Sequence, residues 1–273
     1  MKIEAGASIK ALQAGLPLDP LENRILLCHA LGLTRIKLIT DAERELDETE
    51  AARLAALVER RLGGEPIAYI VGQREFYGLP FHVTPAVLIP RPDTELIVEL
   101  ALERLAPRAR LLDMGTGSGA IAVSVAHTRP DAQVTALDVS EEALAVARAN
   151  AAANTTTVRF LRSDWFTALQ GESFDLIASN PPYIASSDEH LVQGDLRFEP
   201  SGALTDFADG LSALRTIISG APAHLVQGGW LLLEHGYDQA QSVRALLTAA
   251  GYTEVQSWRD LAGIERVSGG RRA

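Results

Sequence analysis

Leu111-Leu112-Asp113-Met114-Gly115-Thr116-Gly117-Ser118-Gly119 decides the fold. An apolar run ends in three glycines spaced two apart, and Ala120-Ile121-Ala122-Val123 follows at once. A strand that turns sharply into a helix needs this composition. Gly115, Gly117 and Gly119 carry no Cβ, so the backbone can fold tightly and approach a ligand closely. The turn ends on a helix N-terminus, whose free N–H groups are electron-poor. The same residues also serve a tight turn that holds nothing, so the loop needs partners elsewhere in the chain.

The pattern around the loop is regular. Residues 110–113 read as a strand, 120–127 as a helix, 133–138 as a strand and 141–150 as a helix. Residues 158–161 and 175–178 read as further strands, and 211–225, 230–234 and 239–250 as helix, strand and helix. Alternation of this kind predicts an α/β fold with a mainly parallel sheet covered on both faces. Upstream the character differs. Apolar positions at helical spacing predict helices over 19–31 and 48–62, the latter stopped by Gly63-Gly64, with a short one over 35–39 between them. Residues 72–92 are punctuated by Gly and Pro and read as a linker with a β-hairpin made from Phe81-His82-Val83 and Val87-Leu88-Ile89. Pro92, Asp93 and Glu95 then open a helix that runs to about residue 105. The expected domains are a small all-helical one at 1–71, the linker at 72–92, and an α/β domain at 93–273.

Composition narrows the function. The chain has 273 residues, 47% hydrophobic and 22% charged, which excludes a disordered or fibrous protein. Lys plus Arg number 25 against 35 Asp plus Glu, a net charge of −10, which argues against a protein that grips nucleic acid by its phosphates. The single cysteine, Cys28, excludes an internal disulfide framework and reads as a buried helical thiol. The six histidines are scattered without ligand spacing, so no metal is expected. Met1-Lys2-Ile3-Glu4 lacks the apolar core of a signal peptide, and no uncharged apolar run is long enough for a membrane span. The expectation is a cytoplasmic monomer without a membrane partner.

Asp138 closes the second strand about 20 residues beyond the loop, where an acid can accept from both ribose hydroxyls of an adenosine. Its bland alternative is to cap the next helix together with Ser140. Nicotinamide dinucleotides and S-adenosylmethionine both carry an adenosine, so loop and acid alone do not separate them. Asp164-Trp165-Phe166 follows the third strand. Trp165 suits an adenine face and Asp164 its amino group, or equally a core position and a cap.

The deciding signal is Asn180-Pro181-Pro182-Tyr183, directly after an apolar strand. Average residue usage puts a given tetrapeptide by chance in on the order of one chain in a thousand. An amide nitrogen is a poor nucleophile because its lone pair is delocalised, so it must be held with the lone pair aimed at the electrophile. The Asn180 side-chain oxygen and the Pro181 carbonyl are two rigid acceptors for its two N–H bonds. Each proline restricts the residue before it and offers no competing N–H. Tyr183 can stack on a flat amide or base. The gain would come from orientation and preorganised dipoles.

The glycine loop, Asp138 and Asn-Pro-Pro-Tyr together resemble the class I S-adenosylmethionine-dependent methyltransferases that act on amide or amino nitrogens. More closely, the chain resembles the release factor glutamine methyltransferases. The likeness runs through Glu75-Phe76-Tyr77-Gly78, Val87-Leu88-Ile89-Pro90-Arg91-Pro92-Asp93-Thr94-Glu95, Glu199-Pro200, Asp209-Gly210-Leu211, Glu234-His235-Gly236 and Asp260-Leu261-Ala262-Gly263. Met114 stands where Leu is usual. The resemblance implies a Rossmann-like, mostly parallel seven-stranded sheet behind a helical substrate-recognition domain. It implies that Gly115, Thr116, Gly117, Ser118, Gly119, Asp138, Trp165 and Asn180 contact S-adenosylmethionine and its product S-adenosylhomocysteine. It further implies that Asn180, Pro181, Pro182 and Tyr183 hold the glutamine of the Gly-Gly-Gln motif of a peptide chain release factor, with Asn180, Pro181 and Tyr183 catalytic. Alternatives are a glutamine of a ribosomal protein, adenine-N6 of DNA, which the charge disfavours, and a non-catalytic scaffold. His235 is expected to pack rather than to catalyse.

Overall fold

The computed structural model describes residues 3–273, apart from the side chains of His190 and Val192. The chain divides into two compact units, Met1–Gly72 and Gln73–Ala273.

In the first unit, α1 is Ile9–Gly15, α2 Pro20–Leu31, α3 Arg35–Thr40, α4 Glu48–Leu62 and α5 Ile67–Val71. Local chemistry sets their ends. Asp19 caps α2, with Pro20 where a helix tolerates it. Asp47 and Glu50 form a reciprocal capping box on α4. Ile9, Leu26, Leu27, Leu38, Leu54 and Val58 are buried in a shared apolar core. Cys28, expected to be buried, is only partly so; burial still pushes its thiol up.

The second unit opens with a hairpin, β1 Gln73–Phe76 and β2 Leu79–His82, paired antiparallel. Its strands lie earlier than the apolar pieces suggest. The turn residues Tyr77 and Gly78 both have positive φ, the hairpin-type turn. The first strand is mostly polar and gives little pattern to read. Phe76 and Phe81 are buried in the core of this unit. Then follow α6 Glu95–Arg104, β3 Arg110–Met114, α7 Ala120–Thr128, β4 Gln133–Asp138, α8 Glu141–Ala153, β5 Arg159–Arg162 and β6 Phe174–Ser179. The chain ends with α9 Ser201–Leu204, α10 Ser212–Gly220, β7 Leu225–Glu234, α11 Ala240–Ala249, β8 Tyr252–Arg259 and β9 Glu265–Arg272.

Among the described residues, seven strands form one sheet in the order β5-β4-β3-β6-β7-β9-β8. β3 to β7 are parallel and β9 runs antiparallel to both neighbours. Alternate residues of each central strand enter opposite cores. Leu111, Leu176 and Leu232 pack with Ile97 and Val98 of α6 and Ile121 and Val125 of α7. Leu112, Ile177 and Leu231 pack with Leu214 and Ile217 of α10 and Val243 and Leu247 of α11. Arg104, at the end of α6, lies over the rings of Trp230 and Trp258 at 4.8 and 4.7 Å.

One expectation is corrected. The helix predicted to run to residue 225 ends at Gly220, and β7 begins at Leu225. The register between β6 and β7 shifts between Phe174 and Leu176, and Gly228 has positive φ, so an irregular strand start reads as a breaker. β8 and β9 complete the seven-stranded sheet that the resemblance implies, but the local sequence pattern did not place them. β9 contains Ser268-Gly269-Gly270 and charged ends, which carry little strand propensity. The glycines are there for space: a Cβ on Gly269 would meet the Leu231 carbonyl oxygen of β7 at 2.5 Å. Gly269→Ala is therefore expected to cost about 1–3 kcal/mol of stability, read as a lower urea midpoint at unchanged slope.

Candidate active site

The chain runs β3, β4, β5 outward and returns to β6 beside β3, so the strand order reverses there. Open α/β sheets bind ligands at the carboxyl ends of strands at such a reversal. Both segments singled out in the sequence leave the sheet at this point, the glycine loop from β3 and Asn180 from β6. The Ser179 hydroxyl donates to the Met114 carbonyl at 2.7 Å and ties the two strand ends together.

The glycine loop is held from three sides. Beneath it, the fully buried Asp113 accepts from the Thr116 hydroxyl at 2.6 Å and from the Ala122 N–H at 3.2 Å. Its other oxygen has no hydrogen-bond partner among the described residues, and burial pushes its carboxyl up to about 7. Beside it, Asp138 accepts from the Gly117 N–H and the Ser140 N–H, both at 2.9 Å. Behind it, Asn150 of α8 donates to the Ser118 carbonyl at 2.8 Å and to that of His82 at 2.9 Å. Nothing in the sequence marked Asn150, because an asparagine on a helix has no motif around it.

A cavity of about 320 Å³ opens over the loop, within the size range of small-molecule sites. Its wall includes Gly115, Thr116, Gly117 and Ser118, then Asp138, Asp164, Trp165, Asn180 and Pro182. Gly119, Pro181 and Tyr183 are not part of that wall. Gly119 is glycine for packing: its φ is +85°, and a Cβ would come within 3.2 Å of Ala147 and Val123. Trp165 is half-buried with its backbone at positive φ. Asp138 keeps both of its expected options, since Ser140 caps α8 through its own hydroxyl while the Asp138 carboxylate borders the cavity.

The sequence reading assigned no role to the opposite wall, Ala86, Val87, Leu88, Pro90, Arg91 and Thr94. That stretch read as punctuation, and its shape comes from distant contacts. The buried Glu199 accepts from the Ile89 N–H at 3.0 Å and pairs with Arg91. Asn180 donates through Nδ2 to the Thr94 hydroxyl oxygen at 3.2 Å. The Tyr183 hydroxyl lies 3.4 Å from Glu234 Oε1. Burial and the nearby Glu234 carboxyl push the Tyr183 phenol well above its usual range, so it stays neutral. His235 is fully buried, with Nε2 at 2.7 Å from the Ser268 hydroxyl.

Fold and cavity together define a class I methyltransferase. The structure of a methyltransferase from Pyrococcus furiosus matches at a TM-score of 0.56 and 22% identity, over 79% of this chain and 97% of that one. The 16S rRNA N2 G1207 methyltransferase of Thermus thermophilus, solved with AdoMet and guanosine, matches at 0.54 and 24%, over 74% of this chain and 50% of that one. At these identities the likeness is one of fold. Family models describe residues 92–196 as a methyltransferase small domain and residues 7–72 as a PrmC N-terminal domain. Release factor glutamine methyltransferases of Burkholderia pseudomallei and Bordetella pertussis are 58% and 56% identical, covering 93% and 96% of this chain and 93% and 98% of their own. That of Vibrio cholerae is 45% identical over 99% of this chain and 98% of its own. The chain belongs to the release factor glutamine methyltransferase family. It is a methyltransferase. Among the described residues, no helix is long and apolar enough to cross a membrane.

The buried Asp113 makes stability depend on pH. Its folded pKa of about 7 lies above the ordinary 3.8, so the folded state binds its proton more tightly than the unfolded chain does. The contribution is full below about pH 4 and is lost as pH rises through 7. Urea unfolding at a series of pH values is expected to show stability falling over that window, and a shallower fall in Asp113→Asn.

Proposed function

We propose that this protein methylates the side-chain amide nitrogen of the glutamine in the Gly-Gly-Gln motif of a peptide chain release factor. S-adenosylmethionine is the donor, held in the cavity over the glycine loop. The observation that carries this reading is the position of Asn180, on the cavity wall and at the end of β6, in a chain of this family.

The residues of the cavity suit that cofactor. The Asp138 carboxylate makes one backbone hydrogen bond through each oxygen, which leaves lone pairs for the two hydroxyls of a ribose. The glycine loop allows close approach, Trp165 offers an indole face for a purine, and Asp164 an acceptor for its amino group. When bound, S-adenosylmethionine supplies an electrophilic methyl on a sulfonium centre. The protein's own task is orientation. Asn180 Oδ1 and the Pro181 carbonyl accept the two N–H bonds of the target amide, and Pro182 keeps that segment extended. The neutral Tyr183 ring flanks the amide plane. We infer that the helical unit, whose residues 7–72 match the PrmC N-terminal domain, docks the release factor. The substrate is a protein, in keeping with the net charge of −10, and no nucleic acid is expected to be methylated.

Labelled S-adenosylmethionine tests the reading directly. Label is expected in a release factor and not in the same factor with its Gly-Gly-Gln glutamine changed to alanine. Equal labelling of both, or labelling only of DNA or of a ribosomal protein, would overturn it. Asn180→Ala is expected to lower kcat at least about a hundredfold, the usual effect of removing one preorganised polar group from a site, with cofactor binding still measurable. Asp138→Ala is expected to weaken cofactor binding about tenfold or more by calorimetry, as loss of a charge-assisted hydrogen bond does.

A further inference from the structure

Gln239 stands at the N-terminal cap of α11, yet its side chain caps nothing in that helix. It turns back toward the segment that follows β6. Its Oε1 accepts from the Gly236 N–H at 2.9 Å, and its Nε2 donates to the Tyr183 carbonyl at 2.9 Å and to the Gly210 carbonyl at 3.3 Å. A side-chain amide has two ends of nearly the same shape and opposite hydrogen-bonding sense. Here both ends meet backbone groups, whose sense cannot reverse, since an N–H only donates and a C=O only accepts. The amide therefore has one orientation. The carbonyl it holds belongs to the last residue of Asn180-Pro181-Pro182-Tyr183.

That segment has few ways of its own to stay in place. Pro181 and Pro182 carry no N–H, so neither can be fastened by a backbone donor. Their rings lock two φ angles, and each proline restricts the residue before it. A chain this stiff is fixed along its length once its two ends are fixed. One end leaves β6 at Ser179, which bonds to Met114. The other end is the Tyr183 carbonyl. We propose that Gln239 is a positioning residue for methyl transfer: by holding the Tyr183 carbonyl it sets Asn180 and the Pro181 carbonyl at the place and angle the target amide requires. The inference rests on the roles assigned to Asn180 and Pro181 above.

The surroundings are built for this contact. Gly210 is buried with φ +79°, and a Cβ there would collide with the Tyr183 carbonyl oxygen and stand 2.9 Å from Gln239 Nε2. Glycine leaves the hydrogen bond its room. The loop that carries Gly210 is itself held, because the Asp206 carboxylate accepts from the N–H groups of Ala208, Gly210 and Ser212 at 2.9, 3.0 and 2.7 Å. Past Tyr183 the chain runs along that loop. The Ile184 N–H donates to the Leu204 carbonyl and the Ser186 N–H to the Ala208 carbonyl, both at 3.0 Å. On the other side, the His235 N–H donates to the Arg266 carbonyl of β9 at 3.0 Å and steadies the turn that carries Gly236 and Gln239. Gln239 thus joins two fixed parts of the fold across the end of the segment.

Two substitutions separate positioning from a structural role. Gln239→Glu keeps the length and the acceptor for Gly236, but an ionised carboxylate has no proton to give Tyr183. Gln239→Ser supplies a favoured helix cap and is too short to reach Tyr183. Each is expected to fold with a urea midpoint close to that of wild type. Each is expected to lower kcat about tenfold, the equivalent of one hydrogen bond. KM for the release factor and cofactor affinity by calorimetry are expected to stay within about twofold, because the loss falls on the orientation of the reacting amide rather than on binding. Wild-type kcat in either folded variant would overturn the inference. So would a loss confined to KM or to cofactor affinity, or a loss of kcat seen only where the urea midpoint falls with it. Asn180→Ala is run beside them: if that variant stays active, the assignment of Asn180 fails, whereas an inactive Asn180→Ala with active Gln239 variants overturns the role of Gln239 alone.

Discussion

The turn from β3 into α7 is held from below by a carboxylate that does not reach water. Asp113 binds the Thr116 hydroxyl and the Ala122 N–H, one on the loop and one in the first turn of the helix. Burying a carboxyl this deeply is unfavourable to its charged form and raises its pKa. The gain is a loop whose backbone is held by groups inside the fold. Asp138 and Asn150 add restraint from β4 and α8, so three neighbouring elements share the work. A turn with positive φ at Gly115, Gly117 and Gly119 would otherwise be among the more mobile parts of the chain. Preorganising it before a ligand arrives removes an ordering penalty from binding.

The same economy of construction governs the second half of the site. Asn180 leaves β6 next to β3, and Ser179 bonds across to Met114 at the strand ends. The opposite wall is held by a buried glutamate, Glu199, which fastens Ile89 and Arg91 from 110 and 108 residues away in sequence. Each wall of the cavity is therefore positioned by a buried or half-buried acid reaching backbone or side-chain donors. Acids used this way contribute to the net charge of −10 without forming an acidic surface. Global charge is an incomplete guide to what such a protein meets, since part of it is structural.

What was legible in the sequence was whatever depends on local pattern. The central strands alternate between two apolar cores and were readable as short apolar runs. The glycine loop and Asn180-Pro181-Pro182-Tyr183 were readable because their chemistry lies in consecutive residues. Strands β8 and β9 were not, because their stability comes from the pairing of β9 with β7 and β8, and from glycines that admit a close backbone rather than from side-chain pattern. The hairpin of β1 and β2 was displaced for a related reason: its first strand is polar, and its anchors Phe76 and Phe81 gain their burial from elements far along the chain.

The supporting residues were invisible for a deeper reason. Asn150, Thr94, Glu199 and Glu234 meet partners 32 to 110 positions away, and the identity of each is ordinary for its local setting. A motif names the atoms that meet the ligand; it does not say which way an amide faces or which oxygen carries a proton. Those properties depend on hydrogen-bond sense, which is shared among neighbours rather than held by one residue. In this protein the motif residue Asn180 donates through Nδ2 to Thr94 Oγ1, which leaves Oδ1 to face elsewhere. Methyl transfer to a weak amide nucleophile is sensitive to that orientation, because geometry rather than a strong base makes the nitrogen reactive.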